Sequence, residues 1–183
     1  MTITGTGSSV ANSGWTIIGN NGNGMLVVSD NGVLSGSSFF ELGRNAGSEG
    51  TLVIGTLPGS DALAPGSLEN ISGINVGAGT GHFVFNHTGT DFQFNHNLDI
   101  DSHGKADVSV LSGTTTLTTT AWSGDTILTG GKLILGSRSS LGSGNLTFNG
   151  GTLDLGTENK AYSVKQLTLS SGELDVSLDG VTV

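Results

Sequence analysis

The sequence predicts an all-β chain wound into a β-solenoid of about eight coils, and three observations carry that expectation. Apolar residues alternate in short runs between Gly, Asn and Ser clusters, the pattern of short strands and tight turns. Two strand–turn units recur, at spacings of about 20–26 residues. Helix signals are nearly lacking, because Gly interrupts the candidate windows and Ala, Lys, Glu and Gln are scarce.

The units follow in chain order. In the N-terminal third, Trp15-Thr-Ile-Ile-Gly19 leads through an Asn/Gly turn to Met25-Leu-Val-Val28. Phe40-Glu-Leu-Gly43 then leads through a slightly longer turn to Thr51-Leu-Val-Ile54, so that Gly43 answers Gly19 and Gly50 answers Gly24. Loops absorb such a change while strands keep register. The middle holds Phe83-Val-Phe-Asn86-His87 and, nine residues on, Phe92-Gln-Phe-Asn95-His96. Nine residues are too few for a coil, so the two copies suit two faces of one coil or a hairpin. Their alternating phenylalanines read as core, with Asn-His in turn positions. Leu98 and Ile100 point inward in the next run, and Asp99 and Asp101 outward.

Towards the C-terminus the repeat sharpens. Residues 124–136 lie over residues 144–156 at an offset of 20, sharing both end glycines, the central Gly-Gly pair and two leucines. A third copy, Gly172-Glu-Leu-Asp-Val176, follows at 21. Stacked coils would place Leu133, Leu153 and Leu174 in one inward column, and Leu135, Leu155 and Val176 in the next. At ~4.8 Å between coils the rod would be about 40 Å long. The whole chain, 1–183, reads as one segment: Trp/Gly-type repeats over 15–55, irregular coils over 56–109 and the sharper repeat over 110–180.

Composition agrees and excludes other classes. Gly, Ser, Thr and Asn make up half of the 183 residues, yet 34% are apolar, which is more than a disordered tail of this kind carries. Glycine lacks a three-residue period, so collagen is excluded. With no cysteine, neither a disulfide scaffold nor a Cys-ligated zinc site is possible. Six basic against 15 acidic residues, net -9, argue against nucleic acid and anionic membranes as partners. No apolar run is long enough to span a bilayer as a helix, and the N-terminus lacks the basic start and apolar block of a secretory signal. The end at Val181-Thr182-Val183, directly after a strand-like run, favours a segment of a longer protein.

Two stretches resemble the passenger domains of autotransporters, the type V secreted proteins of Gram-negative bacteria. Trp122-Ser-Gly-Asp-Thr126 with Gly130-Gly-Lys-Leu-Ile-Leu-Gly136, then Ser140–Gly144 and Asn149–Leu155, is similar to the autotransporter-associated β-strand repeat. The Trp-x-Ile-x-Gly…Gly-x-Leu-x-Val pattern at 15–28 and 40–54 is the second stretch, and residues 81–94 followed by 112–117 also look like these passengers. The resemblance implies a right-handed parallel β-helix at the bacterial cell surface or released from it. It further implies roles in adhesion, self-association or biofilm formation, with other copies, host or matrix molecules or glycans as partners. A separate β-barrel translocator is expected, so this segment itself would not insert into a membrane.

Candidate chemistry is thin against this background. Asn86, His87, Asn95 and His96 could present a contact surface, and with His82 and His103 a histidine-rich cluster could hold zinc or copper, but consecutive turns need not converge. Asp154 and Asp175 fall one coil apart above Ile134, so their carboxylates either splay or share a cation. A carbohydrate-active β-helix is the rival class; its carboxylates would come from Asp91, Asp99, Asp101 and Asp107, aided by Arg44 or Arg138. Those acids also fit a plain acidic strand face. The glycine runs 19–24 and 77–81 lack the Gly-Lys-Ser/Thr and the helix of a phosphate loop. No enzyme activity and no cofactor is expected; a secretion or folding core without a ligand is the remaining alternative.

Overall fold

The structure is a computed structural model that describes residues 1–118, 122–136, 139, 141–156 and 162–175. Every strand among them pairs in parallel with a strand of an adjacent turn of the chain, and no helix occurs among the described residues. The first four coils have three strands each. β1 (Thr2–Thr4), β2 (Ser9–Ala11) and β3 (Trp15–Ile18) form the first; β4 (Asn23–Ser29), β5 (Val33–Ser37) and β6 (Phe39–Leu42) the second. The third holds β7 (Glu49–Gly55), β8 (Ser67–Ile71) and β9 (Gly73–Val76), and the fourth β10 (Thr80–Asn86), β11 (Phe92–Phe94) and β12 (Asn97–Ile100). Then the coils shorten: β13 (Lys105–Ser112) with β14 (Thr114–Leu117), and β15 (Thr126–Leu128) with β16 (Lys132–Leu135). In the last two, β17 (Asn145–Asp154) and β18 (Gln166–Asp175) run unbroken around the corner and join the two faces into one curled sheet.

This is a parallel β-helix, as the periodicity predicts. At the start, Thr2 takes Val27 as its register mate, and Asn23 takes Glu49. Later the step along the chain is shorter, from Val108 to Thr126, Thr126 to Leu146 and Asn145 to Gln166. The shortening coincides with the loss of the third face: the sheet β3-β6-β9-β12 ends at Ile100.

The core is a set of columns. Ile3, Val28, Ile54, Phe85, Val110, Leu128 and Phe148 stack in register through seven coils, all of them buried. No single coil could bury such a row alone; each side chain gains about 1.5–3 kcal/mol only because its neighbours cover it. Leu133 stacks on Leu153, and Leu153 aligns with Leu174, as expected from the repeat. Leu135 extends the Phe94–Leu117 column, and Leu155 packs against the core edge. Val176 lies outside the described residues. The Trp122–Thr126 motif also finds its reason: Thr126 stands in an inward column between Val108 and Leu146, and the buried Trp122 indole N–H donates to its hydroxyl at 2.9 Å. That bond satisfies a hydroxyl that the register forces inside.

Candidate partner-contact surface

The Asn86–His87 pair lies at the corner where β10 gives way to the second face, and it is inside the coil. Asn86 is 5% exposed and His87 fully buried, which corrects the expectation of outer turn residues. The reason is in the neighbouring coils. The corner column beyond His87 is glycine (Gly113, Gly131, Gly151, Gly172), and the ring settles where the first of these has no side chain. Gly113 has φ +77°, and a Cβ there would stand 2.4 Å from His87 Nδ1. The Gly89 N–H donates to Nδ1 at 3.1 Å, so that nitrogen carries no proton, and Nε2–H faces the Thr115 hydroxyl at 2.9 Å. Burial pushes the His87 pKa down to about 4. Phe92 and Phe85 close the pocket, with ring centroids at 5.1 and 6.5 Å.

Asn86 ties three coils together. Its amide donates to Thr56 Oγ1 and the Leu57 carbonyl at 3.1 Å each and to the Ser60 carbonyl at 3.3 Å, while its Oδ1 accepts from Ser112. The second copy is more open. Asn95 is exposed and accepts from the Thr118 hydroxyl. His96 is half-buried; its Nδ1–H donates to the Ile71 carbonyl at 3.1 Å, and burial lowers its pKa. The four histidines therefore serve separate neighbours: His82 faces Asp107 at 3.4 Å, and the exposed His103 faces Asp101 at 3.3 Å. Among the described residues no three His, Asp or Glu side chains come together as metal ligands.

Asp154 and Asp175 are register mates above Ile134, as the repeat requires. A cation does reach Asp154, and the chain supplies it. Lys132, one coil back and diagonally placed, puts Nζ 2.7 Å from Asp154 Oδ2, and the Gly156 N–H donates to Oδ1 at 2.9 Å. Burial works against the Asp154 carboxylate, but Lys132 and the Gly156 N–H outweigh it and hold its pKa below the usual range.

A carboxylate ladder that the sequence did not announce runs up the corner before the long face. Asp107 Oδ1 accepts the Asp125 N–H at 2.7 Å, and Asp125 Oδ1 accepts the Asn145 N–H at 2.8 Å. Each acid thus caps an amide of the next coil, and Lys105 bridges both acids at 3.0 and 3.1 Å. Burial opposes the Asp107 charge; His82, the Asp125 N–H and Lys105 overcome it and keep its pKa low. Of the other acids weighed for sugar chemistry, Asp91, Asp99 and Asp101 are exposed. Arg44 is engaged elsewhere: it binds Glu41 at 2.6 Å, with its guanidinium 5.1 Å from the Trp15 ring and 5.8 Å from Phe39. Arg138 lies outside the described residues.

Stacked coils, apolar columns inside and hydrogen-bonded polar ladders at the corners define a parallel β-helix rod. No protein-family model matches the chain, and no solved structure matches it significantly. Among curated proteins it is similar to "Uncharacterized lipoprotein YdeK" of Escherichia coli (strain K12), with 32% identity over 176 aligned residues. That match takes in 88% of this chain and 13% of the relative, so the chain spans about an eighth of the protein it resembles.

Proposed function

We propose that the chain is a stretch of a cell-envelope protein that acts as a display rod. In the finer form of this reading it is an autotransporter passenger segment at the bacterial surface, working through adhesion, self-association or biofilm formation without an active site. The supporting observation is the way the polar groups are used. Of the residues singled out from the sequence, Asp107 caps an amide, Asn86 anchors a loop and Asp154 pairs with a lysine, each between neighbouring coils. They are spent on holding coil to coil, and each coil adds outward Thr, Ser and Asn to a continuous surface. The description of the E. coli relative as a lipoprotein supports an envelope location.

The test is surface display and settling. Cells producing the full protein are compared with cells whose protein lacks this stretch, by protease accessibility on intact cells and by sedimentation of standing cultures. Accessibility with faster settling is the expected result. A segment inaccessible from outside, with settling unchanged by its deletion, would overturn the proposal.

A further inference from the structure

The third coil is out of proportion to its neighbours. The step from Glu49 to its register mate Thr80 is longer than the step before it, Asn23 to Glu49, and the step after it, Thr80 to Lys105. The surplus falls between β7 and β8, where residues 56–66 take a corner that the coil before crosses with residues 30–32. This insertion is held on every side. Pro58 and Gly59 (φ +84°) occupy the centre of a turn closed by the Ser60 N–H on the Leu57 carbonyl at 3.1 Å, as in a type II turn. Buried Asn86 binds Thr56, Leu57 and Ser60 from below, and the Thr56 hydroxyl donates to the Asp61 carbonyl at 2.9 Å. The Asp30 and Thr88 amides, one coil to either side, donate to the Ala64 and Leu63 carbonyls at 2.7 and 2.9 Å.

What this frame holds up is apolar. Leu57 and Leu63 are each 43% exposed. The other large apolar groups this exposed among the described residues lie in the first two coils (Met1, Trp15, Met25) or the last (Leu167, Leu169), apart from Ile127 at 38%. Two exposed leucines on one loop, tied down by Asn86 at Leu57 and by the Thr88 amide at Leu63, are an exception in the middle of the rod. The loop's rigidity also lowers the ordering cost of binding.

The surrounding charge is one-sided. Residues 1–104 contain eight Asp and Glu but a single Lys or Arg, Arg44, which is bound to Glu41. Three of those acids, Asp30, Asp61 and Asp91, belong to the successive turns at this corner in coils two, three and four. We propose that the 56–66 corner docks a cationic, amphipathic peptide segment of a partner protein, its apolar side chains on Leu57 and Leu63 and its Lys or Arg groups toward Asp30, Asp61 and Asp91. A second copy of this chain, also at -9, would bring like charge to the same place. The proposal rests on the display reading above and supplies a contact element for it.

The experiment uses the purified chain and two fluorescein-labelled peptides of about 14 residues, one alternating Lys with Leu and one alternating Glu with Leu, read by anisotropy at ~0.15 M salt. The Lys/Leu peptide is expected to bind and the Glu/Leu peptide not to. Leu57→Ser with Leu63→Ser, its far-UV circular dichroism unchanged, should weaken binding about tenfold. Asp30→Asn, Asp61→Asn and Asp91→Asn together should weaken it and flatten its salt dependence. Asp99→Asn with Asp101→Asn, on and beside the β12 face, should change it less than about twofold. No binding, binding insensitive to the leucine pair, or equal losses from the Asp99/Asp101 variant would each overturn the proposal. Concentration-dependent self-association abolished by the leucine variant would do so too, by seating a second copy there. Since the measurement needs no cells, its failure leaves the settling test of the display reading standing.

Discussion

Replacing His87 with Gln should remove a defined part of the protein's pH dependence. His87 is fully buried, and its folded-state pKa is depressed from 6.5 to about 4 by that burial. The neutral ring is therefore favoured by folding: its contribution is complete above pH 6.5 and is lost as the pH falls toward 4. Linkage puts the loss at about 2 kcal/mol between pH 7 and pH 5, and about 3 kcal/mol by pH 4. At pH 7 the variant should be the less stable protein, because Gln cannot meet both the Gly89 amide and the Thr115 hydroxyl in the same geometry. The gap should then narrow by about 2 kcal/mol at pH 5, since only the wild type must protonate or expel a buried imidazole. Urea melts followed by far-UV circular dichroism at pH 7, 6 and 5, converted with a shared m-value, supply the comparison. His96, also shifted downward by burial, is present in both proteins and cancels. Parallel stability curves for the two proteins would refute the buried, neutral ring.

Other positions give sharp contrasts. Gly113→Ala meets both a φ of +77° and the His87 ring, and should cost at least about 2 kcal/mol in urea melts, whereas Gly7→Ala, φ +85° with nothing within 4 Å, should cost about 1 kcal/mol. Leu153→Ala opens a hole in a column where the side chain is wholly buried, so a loss of about 2–5 kcal/mol is expected from the same melts. Asp125→Ala leaves the Asn145 amide without its acceptor and Lys105 with Asp107 alone, and should destabilise by about 1–3 kcal/mol, with hydrogen exchange at Asn145 faster than in the wild type. Lys132→Gln removes the ammonium from Asp154 at a partly exposed site, so the expected cost is below about 1 kcal/mol and should shrink in high salt.

Much of the architecture was legible because a solenoid repeats its own address. The offset between residues 124–136 and 144–156 is the register that sets Thr126 on Leu146 and Leu133 on Leu153. The matched glycines of the first repeat likewise set Ile18 beside Leu42 and Gly24 beside Gly50. The nine-residue Phe-Asn-His duplication resolves as two faces of one coil, with Phe83, Phe85 and Phe94 in the core. What escaped depends on the next coil. Alternation stops at Phe85, and nothing near His87 in sequence says that Gly113, a full coil later, will leave room for the ring. Lys132 reaches Asp154 across a diagonal, a neighbour that column counting passes over. The Asp107–Asp125 step escaped because the period contracts there and Asp107 precedes the aligned repeats.

Everything proposed about surface and partner depends on the coils stacking in parallel at the stated register, and cysteine cross-linking tests this directly in a chain with no native cysteine. Thr147 and Thr168 are register mates on the outer face of β17 and β18, at the close spacing a disulfide needs. Thr147→Cys with Thr168→Cys should oxidise to a species of altered mobility on a non-reducing gel. Thr147→Cys with Leu169→Cys, one residue out of step and so on opposite faces of the sheet, should not. Equal cross-linking of both pairs, or of the second alone, would contradict the β-helix register described for this protein.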